Sequence, residues 1–174
     1  MSVLSADDRS EVNDILSELE STVTVHVFTE EGCQYCDETL DLYADVEAES
    51  DHVDVATHDM DDPLAEELGA TTYEGAPVTV ITRDGVTGVR YFGIPSGQEF
   101  SSFLEDLIVV ARGAGGTNFP DAVREQVRAI DEPVELKVFV TPTCPHCPQA
   151  VRVAHDMAVE NDLIEANAIE SQEF

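Results

Sequence analysis

The sequence repeats itself across its length. Val23-Thr-Val-His-Val-Phe-Thr29 runs through a short loop into Cys33-Gln-Tyr-Cys36, and at an offset of 111 residues Leu136-Lys-Val-Phe-Val-Thr-Pro-Thr runs into Cys144-Pro-His-Cys147. The flanks follow the same offset. Val123, Val127 and Ile130, in a helix opened by Pro120, match the stripe of Val12, Leu16 and Leu19. Val151, Val153 and Met157 match Leu40, Leu42 and Val46, and Ile164 matches Val53. A period this long is no solenoid; it marks a duplicated domain.

The first copy reads as alternating elements. Ser5 is placed to cap a helix, with Asp7 and Asp8 at the positive end of its dipole. A strand over 23–29 is apolar on both faces, which predicts a central, covered position. After the cysteines, Leu40, Leu42, Tyr43 and Val46 predict a helix to about Ser50. A strand from Val53 to His58 and a short helix opened by Pro63, ending near Gly69, come next. Gly75 to Thr82, an Asp84-Gly85 turn and Val86 to Phe92 form a hairpin. Ser96 is the expected cap of a last helix carrying Phe100, Phe103, Leu104, Leu107 and Ile108. The expected class is therefore α/β: one crossover helix between two strands, then a hairpin with a covering helix.

Gly113-Ala-Gly-Gly116 is the glycine-rich break between copies. The expected division is a complete unit at 1–113, a linker at 114–117 and the first half of a second unit at 118–174. Residue 174 corresponds to position 63, so the second copy has no counterpart of the hairpin or the last helix. Such a half-unit leaves a sheet flank and one face uncovered. The expectation is a truncation of a longer protein; the other reading is a neighbouring chain that supplies the missing half by swapping.

Charge narrows the range of partners. Against 37 Asp and Glu stand 8 Lys and Arg, for a net charge of −29, and Lys137 is the one lysine. A polyanion would be repelled, so nucleic acid is not an expected partner. The acids are spread over every segment rather than gathered in a tail, which fits adaptation to high salt, where self-repulsion is screened within a few ångströms. The start, Met1-Ser-Val-Leu-Ser-Ala-Asp-Asp8, shows no export signal, and no apolar run is long enough to span a membrane. A cytoplasmic location is the expectation.

All four cysteines fall in the two Cys-x-x-Cys pairs. A pair at a helix N-terminus has a physical logic, because unpaired backbone N–H groups and the helix dipole favour a thiolate on the first cysteine. The second cysteine, one turn on, attacks the mixed disulfide that the first has formed. Zinc pairs lie about 15–20 residues apart, whereas 107 residues separate Cys36 from Cys144. Redox chemistry is the better reading, and no metal is expected. Cys33 lies among Glu30, Glu31, Asp37 and Glu38, which disfavour its thiolate. Cys144 has no acid within its motif, and His146 beside it can stabilise a thiolate. The expectation is that Cys144 is the more reactive nucleophile and 144/147 the more oxidising couple. Tyr35 shapes its loop. His26 and Lys137, seven residues before each first cysteine, are expected at solvated strand ends; His52, His58 and His155 are expected at the surface.

Strand, Cys-x-x-Cys, helix, strand, helix and a proline-opened hairpin together resemble the thioredoxin fold. Two such units in tandem, with Cys-Gln-Tyr-Cys and Cys-Pro-His-Cys, resemble the archaeal protein disulfide oxidoreductases, glutaredoxin-like proteins related to protein disulfide isomerase. Arg90-Tyr-Phe-Gly-Ile-Pro-Ser-Gly97 and Val138-Phe-Val-Thr-Pro-Thr-Cys144 also look like sequence of that family, which carries Cys-Pro-Tyr-Cys where this chain has His146. The resemblance implies that Pro77 is the cis-proline facing the first cysteine pair. Ala76 and Pro77 would then leave backbone free to pair with a substrate segment. It implies exchange of electrons with protein disulfides or thiols through Cys33/Cys36 and Cys144/Cys147, with the outer cysteine attacking and no bound cofactor. A flavoprotein of the thioredoxin reductase kind would be the reductant. Two other readings stay open: an electron-relay module for a peroxidase, and a scaffold whose cysteines bind zinc or staple loops.

Overall fold

A computed structural model describes residues 3–174; Met1 and Ser2, part of the start considered above for an export signal, lie outside the described residues. The elements are α1 (Ala6–Leu16), β1 (Val23–Thr29), α2 (Cys36–Glu47), β2 (Val53–Asp59), α3 (Pro63–Glu67), β3 (Val78–Arg83), β4 (Val86–Phe92), α4 (Glu99–Arg112), α5 (Asp121–Arg128), β5 (Val134–Val140), α6 (Cys147–Glu160) and β6 (Ile164–Glu170), with a 3₁₀ turn at Ala70–Thr72. Local chemistry sets several ends. Ser5 and Asp8 satisfy each other's backbone N–H in a capping box on α1. Asp62 caps α3, with Pro63 at its first position. Asp84 and Gly85 both take positive φ, 48° and 89°, which a two-residue turn between right-twisting strands requires.

The two copies build one sheet. Its order is β2-β1-β3-β4-β6-β5, and β1 lies between β2 and β3, covered as expected. β3 runs antiparallel to β1 and β4; the other pairings are parallel. All strands but β3 therefore point the same way. The copies join where β4 pairs with β6, Val89 opposite Ala166 and Phe92 opposite Ile169. Of the second copy's two strands, β6 is thus paired on both sides, and among the described residues no strand pairs with the outer side of β5.

That joint is close-packed at Gly88, where a methyl group would overlap the Ile164 carbonyl oxygen and press on Ala158 Cβ. Backbone cannot retreat as a side-chain tip can. Gly88→Ala is expected to lower stability by about 1–3 kcal/mol, as overpacking does; urea unfolding measures it, and an unchanged midpoint would contradict the joint.

On one face α1, α2, α4 and α6 cover a core shared by both copies, including Val25, Val27, Tyr43, Phe103, Leu107, Val151 and Ile164. On the other, Phe28, Val78, Val80, Phe92 and Ile169 pack under Ala65, Leu68 and Ala70.

Two expectations are corrected. Ser96 is not the cap of α4: Gly97 takes a φ of 60°, Gln98 occupies the cap position and Glu99 opens the helix. Residues 96–98 are drawn out of the helix because the Gln98 N–H donates to the Pro142 carbonyl, 3.1 Å away in the loop before Cys144. His155 is not at the surface; it is 1% exposed, held by Asp106 across the α4–α6 seam. His52 and His58 are half-buried. His58 stacks on Phe28 and lies 3.0 Å from His26.

Candidate functional site: two dithiol loops at one end of the sheet

Because β1 and β5 run parallel, both Cys-x-x-Cys loops leave the same end of the sheet. β1 and β5 are four strands apart, about 19 Å at roughly 4.8 Å per step. In each loop the second cysteine is the first residue of the following helix, Cys36 of α2 and Cys147 of α6. Cys33 is disulfide-bonded to Cys36 and Cys144 to Cys147, with Cα atoms 5.6 and 5.5 Å apart. Cys33 and Cys144 are half-exposed; Cys36 is buried, and Cys147 packs against the helix-side core. In the first pair the outer cysteine is thus the more exposed one; in the second, Cys144 and Cys147 are both half-buried.

The neighbours differ. Tyr35 stands at the cap position of α2, half-buried, and its carbonyl accepts bonds from the Thr39 N–H and hydroxyl. His146 stands at the equivalent position of α6 and is exposed. Glu30, Glu31, Asp37 and Glu38 around the first loop are all exposed. The Ala76–Pro77 bond is cis, as the resemblance implied, and the Pro77 carbonyl accepts from the Gly93 N–H at 2.9 Å. His26 is not at a solvated strand end as expected: it lies half-buried in the middle of β1, bonded to His58 and Thr82 from the strands on either side, and burial, then His58, lowers its pKa. Exposed Lys137 lies over the Tyr73 ring and 3.4 Å from Glu135.

Sequence reasoning missed the carboxylates that each copy places near the other's loop. Glu99 is 2% exposed, and neither carboxyl oxygen has a hydrogen-bond partner among the described residues. Burial pushes its pKa up to about 7, with Asp106 adding to the effect and His155 opposing it. The residues either side of it on α4 grip both ends of the second loop: Gln98 N–H reaches Pro142, and the Ser102 hydroxyl reaches the Pro148 carbonyl at 3.5 Å. Glu99 lies on the turn between Gln98 and Ser102, with His155 and Asp106 as the charged groups around it. Near the first loop Glu173 accepts from the Ile94 N–H, and burial, with Glu170 and Glu38 adding, raises its pKa to about 7. Behind Glu99, Asp106 binds both His155 Nδ1, at 2.6 Å, and the Tyr91 hydroxyl. Burial works against the His155 imidazolium, but the Asp106 carboxylate and the Arg90 and Ala166 carbonyls outweigh it, so its pKa is raised.

No family model matches the chain. In structure it is similar to a protein disulfide oxidoreductase from Aeropyrum pernix, with a TM-score of 0.86 and 29% identity over 99% of this chain and 78% of that one. It is also similar to the alkylhydroperoxide reductase AhpF of Enterococcus faecalis, with a TM-score of 0.85 and 22% identity over 98% of this chain and 81% of that one. The fold is thioredoxin-like. In sequence the chain is 34% identical over 87 residues to the alkyl hydroperoxide reductase AhpF of Pseudomonas aeruginosa, a stretch that is 50% of this chain and 16% of the relative. The chain thus spans about a sixth of the length of that relative. Among the described residues no helix is long and apolar enough to cross a membrane.

Proposed function

We propose that the chain is a thiol–disulfide oxidoreductase of the archaeal protein disulfide oxidoreductase kind, acting on protein disulfides and thiols in a salt-rich cytoplasm. The observation that carries this is the pair of Cys-x-x-Cys disulfides at one end of the sheet, each opening a helix with its outer cysteine half-exposed. In the reduced protein, the Cys144 thiolate attacks a substrate disulfide. One substrate sulfur leaves as a thiolate and takes a proton from water, and a mixed disulfide forms. The Cys147 thiol then gives its proton to the Glu99 carboxylate and attacks Cys144 Sγ. The second substrate thiolate leaves and is protonated, and the protein keeps the Cys144–Cys147 disulfide, having given up two electrons. Cys33 and Cys36 act in the same way, with Ala76, held by its cis bond to Pro77, offering backbone to the substrate.

At about 19 Å of strand separation the dithiols do not exchange directly within one molecule, nor do their four sulfurs share one zinc ion. That separation argues against the zinc scaffold reading. A flavoprotein of the thioredoxin reductase kind would restore the dithiols. The sequence likeness to an alkyl hydroperoxide reductase favours, as second reading, relay of these electrons to a peroxidase.

Reduction of insulin by dithiothreitol in molar salt, with zinc determined on the same sample, tests the assignment. Turnover supports it; no turnover with stoichiometric zinc would sink it. Cys144→Ser is expected to remove about nine-tenths of the activity and Cys33→Ser the smaller part, because acids crowd Cys33. The reverse ranking would overturn the assigned asymmetry.

A further inference from the structure

A groove of about 380 Å³ lies between the two dithiol loops, walled by α1 and α4 and by the start of α2. That is the size of a pocket for a small ligand or one or two side chains, about 300–1,000 Å³. Leu4, Ile15, Leu42, Ile94, Phe100 and Leu104 line it. Leu4, Ile15 and Phe100 are half-buried, so part of this apolar surface meets water. Every lining residue belongs to the first copy. The two ends of the groove reach the two redox loops. Glu38 on its rim stands two residues after Cys36. Gly97 on its lip lies against Pro142, two residues before Cys144; a methyl group there would stand 2.5 Å from the Pro142 carbonyl oxygen. The rim carries charge of one sign. Asp8, Glu11 and Glu38 are all exposed on it, and among the described residues no arginine or lysine lines it. Bonds from the Ser5 hydroxyl and N–H hold the Asp8 pKa down, so that carboxylate keeps its charge.

We propose that this groove docks an extended segment of the protein substrate, one apolar side chain seated inside and lysine or arginine beside it against the acid rim. Burial of the apolar side chain supplies affinity, and the carboxylates choose between segments. An acidic segment, a second copy of this −29 chain included, meets three carboxylates with no cation to answer them. The inference rests on the oxidoreductase reading above and adds its substrate class: polypeptides in which basic residues flank an apolar one near the cysteine. A segment held here lies beside the loops of both cysteine pairs, so one groove serves the two. In molar salt the screening length falls to about 3 Å, and the rim then discriminates only between groups in direct contact.

Two disulfides test it on the full chain: hydroxyethyl disulfide, which is too small to need the groove, and a disulfide between peptides carrying leucine flanked by lysines. Exposed Ser101 lines the groove, and Ser101→Trp crowds it. The variant is expected to raise KM for the peptide disulfide about tenfold, the worth of one seated apolar side chain, with kcat and turnover of the small disulfide unchanged. An unchanged peptide KM, or equal losses on both disulfides, overturns the proposal. If urea unfolding shows that this variant does not fold, Glu11→Lys on the exposed rim decides. It is expected to cut the preference for lysine-flanked over glutamate-flanked peptide about fivefold, in the lowest salt that keeps the chain folded; an intact preference overturns the proposal. Binding of the lysine-flanked peptide with serine in place of cysteine, read by fluorescence anisotropy, needs no turnover and separates the two readings. Binding by a chain that does not turn over hydroxyethyl disulfide leaves the groove a peptide site and overturns the oxidoreductase reading. Turnover without binding does the reverse. Self-association that Ser101→Trp abolishes assigns the groove to a second copy and overturns the proposal.

Discussion

Glu99→Gln, made in a Cys33→Ser background so that only the second dithiol turns over, is expected to slow disulfide reduction about 100-fold at neutral pH, the low end of what a positioned acid or base contributes. The reasoning begins with burial. A carboxyl group that is 2% exposed, with neither oxygen hydrogen-bonded among the described residues, is destabilised when charged, and its pKa rises to about 7. At that value it accepts a proton from one thiol and returns it in the reverse reaction with little loss either way, which is what a proton store for Cys147 requires. Glutamine keeps the shape and removes the titration. The rate of the Cys33→Ser protein is therefore expected to rise with pH through about 7 as Glu99 ionises, and the glutamine variant to lack that rise. Because an uncharged amide is easier to bury than a carboxylate, the variant folds at least as well, so lost rate is not lost structure. A variant with full rate and the same pH limb would show that the proton goes elsewhere.

What was legible in the sequence was what the backbone writes locally. The β-branched run, the Asp84-Gly85 turn, the capping Ser5 and the Pro63 start were read correctly because each depends on neighbours within a few residues. The repeat then carried the reading to the second copy and brought the two cysteine pairs into equivalent places. The carboxylates stayed hidden for two reasons. In a chain with 37 acids a buried one looks like every surface one. And Glu99, Ser102 and Asp106 recur at helical spacing beside the apolar stripe of α4, so they read as its wet face; α6, from the other copy, covers them. The same holds for His155, whose partner lies 49 residues away. A usable signal existed: α4 is apolar over almost its whole last two turns, and a helix that is buried all round has no wet face.

The seam those residues form should be the most sensitive polar feature of the fold. His155→Leu is expected to lower stability by about 3–5 kcal/mol at pH 7, since it leaves the Asp106 carboxylate buried with only the Tyr91 hydroxyl to oppose its charge. Replacing both partners, His155→Leu with Asp106→Leu, removes the charge along with its partner and is expected to recover most of that loss. The pH dependence follows from the direction of the shift. His155 binds its proton more tightly folded than at its ordinary 6.5, so the native state holds more protons than the unfolded state, and stability falls as pH rises through the folded pKa. Glu99 and Asp156, raised to about 7 and about 6 by burial, act in the same sense from their ordinary values upward. Each extra proton held by the native state amounts to about 1.4 kcal/mol per pH unit. The wild type is therefore expected to be more stable at pH 5 than at pH 8 in urea unfolding at constant salt. His155→Leu is expected to flatten that dependence, because the variant lacks the extra proton that His155 holds in the folded state. A variant whose stability falls with pH as steeply as the wild type's would mean that the pair is not an ion pair, and the seam would then be held by packing alone.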